Sequence, residues 1–270
     1  MAQLKNTTID DTGFLQLPTG TTAQRPGLPE PGHIRFNTTL GVQEYWNGTN
    51  WIHSLGILKQ TPATSGYQLA QESPYLPSGS YWIKSSSMPN PLLMYVDMTY
   101  EGGGYDFLAF QGNGINPEFV NSTNSGTALG LDLVYPRSKE HWRAMSDYVR
   151  NILGDSTNNY FRGTYAIHRI NANGNGGSGN YTGFIMRDPN SYGSGAPDWR
   201  VPDGGRWWLR DTTFSEPNGD YTAFGFLGGY TFPNPYTGQD LLFNDVFSTN
   251  ATYANYRPGS YYLVSTNAKP

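Results

Sequence analysis

The sequence predicts an α+β fold, strand- and loop-rich, with a short N-terminal β-module followed by a longer domain that has one main helix near 138–153. Three observations predict it. Short runs alternate apolar and polar residues between Gly, Asn and Pro, which is the pattern of strands and turns. The chain of 270 residues holds 33 glycines and 19 prolines, the residues that punctuate elements. One stretch, 138–153, carries apolar residues at helical spacing.

Residues 1–13 are polar and unpatterned. His33-Ile34-Arg35-Phe36-Asn37 alternates and reads as a strand. Thr38 to Gly41 is turn-like, and Val42 to Trp46 is a second strand. Asn47-Gly48 is a hairpin-turn dipeptide, and Asn50-Trp51-Ile52 returns as a third strand. Three such short strands bury little by themselves, so the module 1–54 is expected to need partners, such as other copies of itself. Residues 55–65 read as a linker, and 66–270 as the second domain.

Within that domain, Tyr81–Lys84 and Leu92–Met98 read as strands, the second ended by Glu101-Gly102-Gly103-Gly104. Tyr105–Phe110 is a further strand candidate. In the helix, Trp142, Met145, Val149, Ile152 and Leu153 share one face. Ser138 is placed to cap its start and Gly154 its end, while Pro136 discourages an earlier start. The last hundred residues read as short aromatic strands without an internal repeat.

Composition narrows the function. Net charge is −4 with 17 Lys+Arg, so there is no basic footprint for nucleic acid. No apolar run approaches the roughly 20 residues of a membrane span. The first twelve residues lack a basic segment followed by an apolar one, so no secretory leader is expected. Twenty Tyr, 13 Phe and 7 Trp argue against disorder. Zero Cys removes thiol nucleophiles, Cys-ligated metals and a disulfide framework.

Two stretches carry a family resemblance. Leu17-Pro18-Thr19-Gly20-Thr21-Thr22-Ala23-Gln24-Arg25-Pro26, then Gly32-His33-Ile34-Arg35-Phe36-Asn37-Thr38 and Tyr45-Trp46-Asn47-Gly48-Thr49-Asn50-Trp51, resemble a module of tailed-phage virion proteins over about 40 residues. From Gly66 onward the chain resembles fibrinogen-like domains, with some likeness to intelectins. Gly79-Ser80-Tyr81-Trp82-Ile83, Tyr95-Val96-Asp97-Met98 with the following glycines, and Trp207 to Gly219 carry that likeness, as does Glu140-His141-Trp142-Arg143. Val96 and Thr212 stand where the family has disulfide cysteines. Tyr105 replaces a Trp, and Thr213 stands where some members use a His in acetyl-group recognition.

The resemblance implies a bacteriophage virion protein: a tail fibre or other surface appendage, made in a bacterial host cytoplasm. It implies a homotrimer in contact with other virion proteins, binding host-surface glycans non-covalently through the head. The alternatives are a capsid-decorating or connector protein without ligand, and a polysaccharide depolymerase. No catalytic residue is singled out, and no enzyme is expected.

Candidate ligand-binding residues are Trp199, Thr213, Tyr221, Tyr230 and Tyr236, because sugars present apolar faces to rings and polar groups to side chains. Core packing is the competing use of these rings. Asp198 and Asp203, in a Gly- and Pro-rich loop, are candidate Ca²⁺ ligands, since Ca²⁺ takes oxygen ligands from flexible loops. Solvated acids or ion pairs with Arg200 or Arg206 are the competing reading. The four histidines, His33, His53, His141 and His168, have no metal-ligand spacing and are expected to be structural. The 173–180 glycine run lacks the ending of a phosphate loop.

Overall fold

The computed structural model describes residues 13–111, 129–134, 136–154, 162–165, 168–169, 181–185, 199–200, 207–214, 227–231, 241–244 and 261–270. The chain is α+β and strand-rich, and it divides into two compact units, Met1–Leu55 and Gly56–Pro270.

The N-terminal unit is a four-stranded sheet in the order β1-β2-β3-β4, formed by Thr19–Gly20, Ile34–Asn37, Val42–Trp46 and Trp51–His53. β1 pairs with β2 in parallel, and the other pairs are antiparallel. Each hairpin is closed by an Asn side chain. Asn37 Oδ1 accepts from the amides of Thr39 and Leu40, and Gly41 turns the chain at φ +67°. Asn47 Oδ1 accepts from Thr49 and Asn50, with Gly48 at φ +103°. Trp46 pairs with Trp51, so the second loop has four residues rather than the two an Asn-Gly hairpin suggests.

The alternation in β2 is present but inverted. Ile34 and Phe36 are exposed, whereas Arg35 and Asn37 are buried. The buried carboxylate of Glu44 on β3 accounts for this, because it can leave water only if cations and donors go with it.

The C-terminal unit is built on a five-stranded antiparallel sheet in the order β5-β6-β7-β16-β8. These strands are Gly79–Ile83, Leu92–Asp97, Tyr105–Gln111, Tyr261–Ser265 and Asp132–Leu133. Within residues 55–65, expected as a linker, Gly56 and Ala63 hydrogen-bond to the backbone of β5 and of the residue after it. Ala63 N donates to Trp82 O, Trp82 N to Gly56 O, and Lys84 N to Ala63 O. The segment gave no strand pattern, because backbone pairing at a sheet edge asks little of side chains.

Among the described residues, two α-helices pack on the sheet. α1, Gly66–Glu72, was not expected from the sequence; Ser65 caps it by accepting from Gln68 N. A Ser-x-x-Gln spacing is the start of a capping box and was the available signal. Gly66 admits the close approach, since a Cβ there would lie 2.9 Å from Asp106 Cβ and 3.0 Å from Val96.

α2, Lys139–Asp147, begins at the Ser138 cap, which accepts from His141 N, and continues into a π turn over Tyr148–Ile152. Trp142, Met145 and Val149 are buried as expected, but Ile152 is 53% exposed. The bond from Leu153 N to Tyr148 O spans five residues. That wider turn rotates Ile152 off the buried face.

Side chains alternate across β7. Tyr105 and Phe107 face α2, and Asp106 faces α1 through the Gly66 amide. The α2-side core joins Tyr105, Phe107, Leu263, Trp142, Met145, Tyr148 and Trp208. Tyr148 stacks on Tyr95 at 4.9 Å and on Phe107 at 5.6 Å between ring centroids. Among the described residues are three further strand groups: β10 (His168–Arg169) with β12 (Trp199–Arg200), β11 (Tyr181–Ile185) with β13 (Trp207–Phe214), and β15 (Leu241–Asn244), β14 (Leu227–Thr231) and β9 (Arg162–Tyr165).

Candidate functional site

The sequence-predicted ligand residues are distributed rather than gathered. Trp199 lies on β12, opposite Arg169. Thr213 lies on β13. Tyr230 lies on β14, between Leu242 and Arg162. Three separate sheets therefore carry these three residues, although β13 and β15 touch. Tyr221, Tyr236, Asp198 and Asp203 lie outside the described residues. No group of three or more His, Cys, Asp or Glu able to hold a metal occurs among the described residues. Val96, at one cysteine position of the resemblance, is fully buried in β6, and Thr212, at the other, is on β13.

Two polar clusters stand out instead. The first is in the N-terminal unit. Glu44 is fully buried and receives Arg25 Nη2 at 2.6 Å, with Arg25 Nε at 3.2 and 3.3 Å from its two oxygens. Arg35 Nε stands 3.5 Å from the carboxylate, and Asn37 Nδ2 donates to it at 3.0 Å. Arg35 also donates to the carbonyls of Gln24 and Thr21 at 2.8 and 3.0 Å. Thr21 and Gln24 close the short turn between them, with Thr21 N donating to Gln24 Oε1. The two guanidiniums and one amide thus share one carboxylate, in a low-dielectric site where such bonds are strong.

The second cluster surrounds the turn between β6 and β7. Tyr100–Gly102 forms a 3₁₀ turn in which Glu101 has φ +50°, and Gly102, Gly103 and Gly104 follow at +78°, +80° and +98°. Asp97 holds the turn's start, accepting from the amides of Thr99 and Tyr100. Burial pushes the Asp97 pKa up, against the lowering effect of those two bonds. Glu101 accepts from the Tyr105 hydroxyl and, at 2.6 Å, from Ser138 Oγ, placing a carboxylate at the start of α2 where the helix dipole favours it. Burial, then the bond to Glu101, raises the Tyr105 pKa.

His141 stacks on Tyr105 at 4.0 Å between centroids, nearly parallel at 10°. Its Nδ1 accepts from Arg137 N at 3.2 Å, which puts the neutral ring's proton on Nε2, a buried atom without a hydrogen-bond partner. Burial, followed by the positive charges of Lys269 and Arg137, lowers its pKa to about 3. A neutral stacked imidazole and a phenol of raised pKa suit packing better than proton transfer at neutral pH.

Lys269 Nζ lies 4.1 Å from the Tyr105 ring centroid and donates to the carbonyls of Gly103, Glu101 and Tyr100. Burial lowers its pKa, and the Glu101 and Asp97 carboxylates oppose that. No local residue pattern marks Lys269 as a partner of Glu101. The glycine triplet was a visible sign of an unusual turn, but a lysine 166 residues further along gave no sign that it belongs there.

Of the other histidines, His33 Nδ1 accepts from Glu30 N, and buried His53 Nδ1 accepts from Leu55 N. Both bonds are local and structural. His168 lies on β10. Comparison with known proteins gives no match: no family model, no curated protein and no solved structure is similar to the chain.

Proposed function

We propose that the chain is a bacteriophage virion structural protein, a fibre or surface appendage, with a fibrinogen-like head that binds host-surface glycans non-covalently. The observation that carries the virion reading is the cluster around Glu44. Arg25, Arg35 and Asn37, three polar positions of the phage-like motif, meet at one buried carboxylate, and Arg35 also reaches the backbone carbonyls of Thr21 and Gln24. Polar motif residues spent on neutralising a buried carboxylate inside the sheet support the reading of this module as a building unit.

The same sheet turns Ile34, Phe36 and Tyr45 outward, and Ile34 and Tyr45 are directly paired across the strands. Buried apolar residues among those described in this unit are Val42, Trp51 and Leu55. So small a core with apolar residues on its outer face supports assembly as a homotrimer on other virion proteins. Several heads on one particle would raise the effective concentration of weak glycan sites.

The experiment is a glycan array with the full chain, with and without Ca²⁺, paired with immunogold labelling of intact particles. Binding together with a distal label supports the proposal. A label flat on the capsid lattice and a silent array replace it with decoration. Sedimentation of the full chain tests the trimer, and a monomer mass overturns that part.

A further inference from the structure

We propose that the Tyr100–Gly104 turn is a receptor for a primary ammonium group, occupied in this chain by its own Lys269. The ligand class follows from donor count. A primary ammonium offers three N–H donors. The carbonyls of Gly103, Glu101 and Tyr100 converge on Lys269 Nζ at 2.6, 2.8 and 3.4 Å. Beneath them is an aromatic floor, the Tyr105 ring, 4.1 Å from Nζ. His141 covers the ring at 4.0 Å in near-parallel contact, so imidazole and ammonium occupy opposite faces. A cation over a ring face is attracted by its quadrupole.

The receptor is shaped without the lysine. Gly103 N donates to Tyr100 O and Gly104 N to Asp97 O. A Cβ at Gly103 would meet Met98 Cα at 2.8 Å, so the turn has little freedom to rearrange. Glu101 is held in the left-handed region at φ +50°, a conformation that side chains rarely adopt unless their surroundings impose it. Lys269 enters this turn from a distant part of the sequence, as a ligand would. With its ammonium gone, three carbonyls and a ring face remain aimed at one point, and a lysine side chain or small alkylammonium of another source satisfies them.

The test uses the full chain with Lys269→Ala and, to keep the aliphatic stem, Lys269→Met. Thermal midpoints are compared in methylammonium, potassium and tetramethylammonium chloride at equal concentration. The expected result is a lowered midpoint in both variants, with most of the loss recovered by methylammonium alone and no such difference in the parent. Equal response to all three salts overturns the proposal. Equal recovery by potassium also overturns it, because the site would then read charge rather than N–H donors. Should neither variant fold, the parent chain decides by NMR. The Lys269 ε-methylene protons should be shifted upfield by the Tyr105 ring, and unshifted resonances reject the assignment.

Discussion

Arg25 Nη2 lies 2.6 Å from Glu44 Oε2, and the Glu44 side chain is fully removed from solvent. Removing the carboxylate alone leaves the Arg35 guanidinium buried without its counter-charge. Glu44→Ala is expected to cost about 3–5 kcal/mol. Replacing Arg25, Arg35 and Glu44 together by apolar residues of similar volume is expected to cost much less than the sum of the single losses. Hydrogen exchange at the β2 and β3 amides of the full chain measures both.

Asp106 is a second buried carboxylate with a different set of partners. It accepts from Gly66 N, Ser265 Oγ, Thr266 N and Thr266 Oγ1, tying α1 and the segment after β16 to β7. Asp106→Ala strands several donors at once and is expected to cost about 3 kcal/mol or more. Asp106→Asn is expected to recover only part of this, because its amide nitrogen faces donors. Urea unfolding of the full chain is the measurement.

Stability should fall with acid through His141. Its folded pKa, about 3, lies below the ordinary 6.5, so the unfolded chain binds the extra proton between these values. Stability is then full above about pH 6.5 and declines toward pH 3, by up to about 1.4 kcal/mol per pH unit. His141→Phe keeps a stacked ring and removes the titration. Its urea midpoint should show a shallower dependence than the parent between pH 4 and 6.5; an unchanged slope would refute the assignment.

Gly104→Ala should be severely destabilising. The residue has φ +98°, and a Cβ would lie 2.8 Å from Tyr67 Cα. Strain in the left-handed region and collision with backbone each cost about 1–3 kcal/mol. Gly102→Ala meets nothing within 4 Å and carries only the conformational part at φ +78°. Calorimetry of the pair separates the two effects.

Along α2, Trp142→Ala should cost about 3–5 kcal/mol, as expected for a large buried ring. Ile152→Lys should fall within about 0.5 kcal/mol, because the π turn presents that side chain to solvent. An unbroken α-helix would make Ile152 far more sensitive, so thermal midpoints of the two variants report the turn directly.

Whether a feature is legible in the residue pattern depends on the distance along the chain over which it is decided. Local features could be read: the Ser138 cap, the β2–β3–β4 strands and the Leu92–Asp97 strand depend on neighbours a few residues apart. The inverted face of β2 could not, because it depends on Glu44 drawing Arg35 and Asn37 inward. The π turn was hidden because 3.6-residue spacing continues to Leu153 while the backbone does not. The clusters at Asp106 and Lys269 were hidden for a stronger reason, since the bonds from Asp106 to Ser265 and Thr266 and from Lys269 to the Tyr100–Gly102 turn span 159 to 169 residues. Of the predicted ligand residues, Trp199, Thr213 and Tyr230 belong to three different sheets. A run of aromatic residues in sequence does not determine which of them share a surface.

The place of β16 has a kinetic consequence. β7 and β8 both pair with β16 and not with each other. The sheet therefore remains open along β7 until residues 261–265 are available, and the buried Asp106 carboxylate lacks its Ser265 and Thr266 donors until then. Closure over so long a loop is slow relative to local contacts. During synthesis the exposed edge of β7 is a pairing template for other chains. Folding yield should thus be decided late, by competition between arrival of one strand and encounter with a neighbour, and should fall as the concentration of nascent chains rises.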